Sequence, residues 1–168
     1  AAQPGASRGI IFDDTSATAL TMGRMDQAIA AAGVHLDLIA IDCSLMGMLE
    51  VFYEIRQRAD YIAASEESPP GSGYPYDKIM GRLVANPDMS AEAFGRVFVE
   101  EHLTAYSGPL GTEAVTQSLI QTSRLPDFCT KVNNFAAAML PLVAAHRTEL
   151  NSARIASHER RCCSVMAS

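Results

Sequence analysis

The chain has no run of about eighteen apolar residues, so no segment of it reads as a membrane-spanning helix. It has no excess of positive charge: the net charge is −6, which argues against nucleic acid or an anionic membrane as partner. Its four cysteines, Cys43, Cys129, Cys162 and Cys163, form no C-x-x-C pair and no His-containing zinc pattern, so a structural metal site is not indicated. Such sparse thiols fit a reducing compartment slightly better than an oxidising one. No signal peptide is recognisable, and the sequence starts at Ala1 without a methionine, which leaves open a processed product or a fragment. What remains is 168 residues with 48% apolar content, enough for one globular domain with a real core.

The informative stretch is 36–67. Residues 36–41 form a short apolar, β-branched run of the kind found in strands buried on both faces. After Asp42 the pattern turns helical, with Leu45, Met48, Leu49, Phe52 and Ile55 along one face and Gly47 in the first turn. A second run at 61–64 ends in the turn-forming Ser65-Glu66-Glu67-Ser68-Pro69-Pro70-Gly71-Ser72-Gly73. Strand, helix, strand is a βαβ unit with parallel strands. Open parallel sheets bind ligands beyond the carboxyl ends of their strands, here at Asp42, Cys43 and Ser44. A thiol facing a helix N-terminus is expected to have a lowered pKa, so Cys43 is a candidate nucleophile.

These residues resemble a known family. Asp42-Cys43-Ser44-Leu45-Met46-Gly47, then Leu49-Glu50-Val51 and Ala59-Asp60-Tyr61, are similar to the nucleophile motif of the clostripain-like cysteine peptidases, relatives of caspases, gingipains and legumains. Ser65-Glu66-Glu67 and Pro70-Gly71-Ser72-Gly73-Tyr74-Pro75-Tyr76-Asp77 resemble two further family motifs. The resemblance covers 8–83 clearly and 116–143 more weakly. It implies a partial α/β, parallel-sheet, caspase-like core with additional C-terminal helices. It also implies a peptide or protein ligand with a basic side chain, a secreted or cell-envelope setting, and calcium as an ion some relatives use.

The departures lie at the dyad. In the gapless register Ser44 takes the nucleophile position and Cys43 that of a small alanine, while Gln3 falls at the histidine position, or Pro4 if the register slips by one. Ser72 stands where the family often holds an acid, so Asp42 and Ser72 are the candidate substrate-binding residues. A serine needs an adjacent base, and none is visible. His35 lies at the far end of the strand from Cys43, roughly 26 Å away at about 3.3 Å per residue. His102, His146 and His158 read as surface or helix-face histidines.

Elsewhere, 9–12 reads as a strand and Asp13-Asp14-Thr15-Ser16 as a solvated turn. A helix is predicted over 21–32, ended by Gly33. Others are predicted over 77–85, from Ser90 to about 106, and from Ser123 with a break at Pro141. The chain beyond Arg147 is expected to fray, and an irregular strand is expected within 113–121. This divides the chain into a peptidase core, 1–107, and a segment 108–168 of irregular strand and long helix on the same domain. With the family's early strands absent, one sheet edge is expected to be open, inviting association or completion by a missing N-terminal segment of the same protein.

Three functions follow in order of support. The first is a catalytically degenerate peptidase homologue that still holds a peptide at the strand ends. The second is an active endopeptidase cutting after Arg or Lys, with Cys43 or an original cysteine at position 44 as nucleophile and a histidine from a missing segment. The third is a structural module that assembles through the open edge.

Overall fold

The structure is a computed structural model in which residues 9–13, 15–107 and 115–159 are described. The chain divides into two compact units, at 123/124, so the irregular strand belongs with the sheet and not with the C-terminal helices.

In the first unit β1 (Gly9–Asp13) and β2 (Thr18–Thr21) form an antiparallel hairpin. Its turn is organised by Asp13, whose carboxylate accepts from the Thr15 amide at 2.9 Å and the Ser16 hydroxyl at 2.6 Å. β2 was not foreseen, because the polar Ser16–Thr18 stretch masks its start. Thr21 then caps α1 (Met22–Ala32), its hydroxyl accepting from the Arg24 amide. Gly33, at φ 66°, ends the helix in the left-handed conformation that glycine adopts without penalty.

β3 (Leu36–Ala40) pairs in parallel with β4 (Ala59–Ala64), with Leu36 opposite Ala59 and Ala40 opposite Ala63. Between them lies α2 (Leu49–Ile55), which packs on α1. The βαβ unit is therefore as expected. The sheet is not wholly parallel: β5 (Ser118–Gln121) joins β4 antiparallel, giving a mixed sheet of order β3-β4-β5. Among the described residues β3 and β5 are its edges.

β4 is the central strand, and its Ile62, Ala63 and Ala64 are wholly buried. α3 (Tyr76–Ala85) and α4 (Ala91–Ser107) pack on each other, and α4 lies on all three strands. The core on that side is Ala63, Tyr74, Ile79, Val97 and Phe98. A buried Phe or Ile of this kind contributes about 1.5–3 kcal/mol through area removed from water.

In the second unit, α5 (Leu125–Met139) carries Pro126 in its first turn, where the missing N–H costs nothing. Pro141 ends it as expected, in a 3-10 turn at Leu140–Leu142. Where fraying was expected beyond Arg147, residues 147–159 form a helix, α6 (Arg147–Glu159), with the Glu149 carboxylate in its first turn; the rest of that stretch lies outside the described residues.

Candidate functional site

Beyond β3 the backbone continues in register for one residue, the Ile41 amide donating to the Ala63 carbonyl at 2.8 Å. It then doubles back. The Leu45 amide donates to the Glu67 carbonyl (3.2 Å) and the Gly47 amide to the Ser65 carbonyl (2.7 Å), so 45–47 runs antiparallel to the residues just past β4. Leu45 has φ 61°, a conformation that costs a residue with a Cβ about 1–2 kcal/mol. The turn exposes Ser44 at its tip. Its partner strand is pinned by Thr116, whose hydroxyl accepts from the amides of Glu66 and Glu67, both at 3.1 Å.

This geometry corrects the expected helix start. The apolar spacing from Leu45 through Met48 is real, but the helix begins at Leu49, because the amides at 45 and 47 are spent on the β4 end. Cys43 therefore precedes the first helical residue by six positions and not by two or three. Its thiol donates to the Ile10 carbonyl of β1 at 3.3 Å. Burial, and then the Asp42 charge, push its pKa up, opposite to the lowering expected from the sequence. At neutral pH Cys43 is a poor nucleophile.

Asp42 organises the other side of the corner. Its Oδ2 accepts from the Tyr74 amide at 3.1 Å and from the Tyr76 hydroxyl at 3.0 Å. This brings the rim 70–76 against the strand end. Gly73 permits the approach: φ is 68°, and a Cβ there would lie 2.5 Å from Asp42 Oδ2. Ser72, the second candidate binding residue, does not meet Asp42 through its side chain. Its hydroxyl is 2.8 Å from the Tyr106 hydroxyl, which itself donates to the Gly73 carbonyl at 2.6 Å. Beneath the rim, the Tyr74 hydroxyl donates to the Ile41 carbonyl (3.1 Å) and accepts from Gln117 Nε2 (2.8 Å). Burial drives the Tyr74 phenol far above its ordinary pKa, so it stays a neutral donor.

Tyr74, Tyr76 and Tyr106 are thus site residues that sequence reasoning did not single out. Tyr74 and Tyr76 sat within the rim motif, and Tyr106 lies four residues beyond His102 on the inner face of α4. His102 itself is not a surface histidine: it is wholly buried, continuing the four-residue spacing of Phe94 and Phe98. Phe94, Phe98, Tyr74, His102 and Tyr106 stack edge to face in succession, with centroids 5.0–5.5 Å apart. His35 is remote as expected, at the start of β3, and pairs with Asp60 at 2.9 Å. Among the described residues no imidazole bonds to Cys43 or Ser44. Gln3 and Asp14 lie outside the described residues. Among those described, no three acidic, histidine or cysteine side chains group as a cation site.

The mixed α/β core that carries this corner is the fold of the caspase-like C11 cysteine proteases. Solved structures share the fold. A B. fragilis cysteine protease superposes with a TM-score of 0.58 at 20% identity, covering 70% of this chain and 49% of that one. A clostripain from Bacteroides thetaiotaomicron, solved with a peptide inhibitor, gives a TM-score of 0.56 at 20% identity, covering 71% of this chain and 51% of the relative. The chain belongs to the Clostripain family of C11 peptidases, whose sequence model matches residues 2–165. Clostripain of Hathewaya histolytica is 34% identical over 93 residues, 49% of this chain but 18% of that protein. The chain thus spans about half the length of these solved relatives and less of the curated one.

Proposed function

We propose that this chain is a catalytically degenerate clostripain-like peptidase homologue, which holds a peptide at the strand-end corner without cleaving it. The observation that carries this reading is the state of the two candidate nucleophiles. Cys43 is bonded to the Ile10 carbonyl with its pKa raised, and Ser44, though exposed on a strained turn, has no base among the described residues. A hydroxyl without a general base is a weak nucleophile. Binding asks less. Asp42 Oδ1 accepts no hydrogen bond among the described residues, so the carboxylate keeps lone pairs for a Lys or Arg side chain of the peptide.

A fluorescent peptide ending in Lys, with no scissile bond, tests the reading by anisotropy. Saturable binding, weakened at least about tenfold in Asp42→Asn, is expected, since a charge-assisted contact is worth about 1.5–3 kcal/mol. No hydrolysis of Lys- or Arg-containing peptides should accompany it.

The second reading, an endopeptidase cleaving after Arg or Lys, draws support from the B. thetaiotaomicron relative, whose bound inhibitor is BTN-VLTK-AOMK. Its nucleophile would be Cys43, or a cysteine at position 44, with a histidine from a segment beyond this chain. Stoichiometric labelling of Cys43 by a Lys-terminated peptide electrophile would favour it and overturn the first.

A further inference from the structure

The buried nitrogens of His102 have no part in that reading. Among the described residues neither Nδ1 nor Nε2 has a hydrogen-bond partner, and the residue is 0% exposed. Buried polar side-chain atoms in folded proteins are nearly always paired, so an orphaned pair calls for a reason. The ring lies edge to face between Tyr74, at 5.5 Å, and Tyr106, at 5.0 Å. Those two tyrosines clasp the rim. Tyr106 bonds to Ser72 and Gly73, while the Tyr74 amide bonds to Asp42 and its hydroxyl to Ile41. The neutral imidazole is therefore a spacer behind both clasps.

We propose that His102 is a pH-sensitive spacer: neutral, it keeps the rim clasped over Asp42, and protonated, it leaves its aromatic box for water and unclasps the rim. Acidification would then release what the corner holds.

The surroundings give an imidazolium no relief while the rim is closed. Burial disfavours the charged ring and outweighs the attraction of Asp42, the one charge among the described residues that bears on it. α4 packs on β3, β4, β5 and α3. Of the ionisable groups on these elements, Asp60 is engaged by His35, Arg82 by Glu100 and Glu101, and Arg96 by Glu92. Asp37, Tyr61, Tyr76, Asp77 and Lys78 make no bond to the ring, and Tyr74 and Tyr106 meet it with uncharged phenol rings. The sign follows. The open state binds the proton near the ordinary value of 6.5 and the clasped state only below it. The clasped state is thus fully favoured above about pH 6.5 and loses ground by about tenfold per pH unit beneath it, until its own lowered pKa is reached.

Amide hydrogen exchange of the whole chain between pH 5 and 7.5, corrected for intrinsic rates, tests this without any ligand. Protection of the Gly73 and Tyr74 amides should fall about tenfold per pH unit on the acid side, while the β3–β4 amides hold. In His102→Phe the step should vanish. An unchanged step in that variant, no step in the wild type, or β3–β4 amides opening together with the rim would each overturn the proposal. Should His102→Phe fail to fold, the His102 ring can be titrated by NMR in the wild type and in Tyr106→Phe. Its pKa should rise towards 6.5 in the variant, and an unmoved value would overturn the proposal equally. None of these readouts depends on peptide binding, so their failure leaves the proposed function standing, and the converse also holds.

Discussion

Replacing Gly47 by alanine should unseat the whole strand-end corner. A Cβ at this position would lie 2.7 Å from both the Glu66 nitrogen and the Ser65 carbonyl carbon, which are backbone atoms and not the far ends of flexible side chains. Ordinary contact starts near 3.4 Å, so one chain must retreat by roughly 0.7 Å on a steep repulsive wall. Retreat lengthens the Gly47-to-Ser65 hydrogen bond, and through it the Leu45-to-Glu67 bond that holds Leu45 at positive φ. Overpacking costs about 1–3 kcal/mol and each hydrogen bond about 0.5–1.5 kcal/mol, so a loss of about 2–4 kcal/mol is expected. At roughly 2–4 °C per kcal/mol for a chain of this size, the melting temperature should fall by about 5–15 °C. Gly71→Ala is the control, since its Cβ would meet nothing within 4 Å. Circular dichroism melts of both variants decide the matter. If Gly47→Ala melts within about 1 °C of Gly71→Ala, the close pairing of 45–47 with 65–67 is wrong and with it the placement of Ser44.

Three further outcomes test neighbouring parts of the structure. Tyr74→Phe strips a partner from both the Ile41 carbonyl and Gln117 in a buried site, and should cost about 1–3 kcal/mol by urea denaturation. Asp26, held by Arg58 through two hydrogen bonds at 2.7 and 3.1 Å, has its pKa lowered by that bonding. Its contribution is therefore complete above the ordinary value of 3.8 and fades as pH falls through the folded-state value, so the wild-type advantage over Asp26→Asn in urea midpoint should shrink between pH 6 and pH 3. The Asp60 hydrogen bond raises the pKa of His35. An NMR titration of Asp60→Asn should find the His35 pKa lower than in the wild type, and no movement would deny the ion pair.

How much of this was legible in the sequence depends on the range of the interaction that decides each feature. α1 and α4 were readable because Gly33 and Ser90 act within a few residues of the helices they bound, although Thr21, read as the first helical residue, is the cap of α1. The parallel pairing of β3 with β4 followed from a short apolar run on either side of one helical period. The start of α2 was not readable, because Leu45 and Met48 do have helical spacing and only a partner some twenty residues later takes their segment. β5 was unreadable in direction for a similar reason: it pairs antiparallel with β4, more than fifty residues earlier in the chain, which no local pattern encodes. Asp42 was found by its place at a strand end. Tyr74 and Tyr76, which bond to it, and Tyr106, which bonds to Ser72 and Gly73, were not singled out, since each makes its contact with a partner more than thirty residues away in the chain. His102 was misread because a histidine at helical spacing with two phenylalanines carries no mark of whether that face is inward.

The late start of α2 also fixes what a single substitution at the corner can achieve. Ser44 is exposed, whereas the thiol one residue earlier is half-buried and bonded to Ile10. In Ser44→Cys the introduced thiol should titrate near the ordinary cysteine value of about 8.5, with neither helix dipole nor imidazole to lower it, so a few per cent is thiolate at pH 7. Cys43, with its pKa raised, presents far less. Position 44 of the variant should therefore be alkylated by iodoacetamide at least about tenfold faster than Cys43, in a mass-spectrometric time course resolved by site. Amide hydrolysis makes a further demand: the leaving nitrogen must be protonated, and no described residue at the corner is placed to do so. Fast alkylation without peptide cleavage is the expected pairing. Cleavage by Ser44→Cys in the whole chain would mean that a proton donor reaches this corner from residues outside those described, and the degenerate reading would then rest on one serine alone.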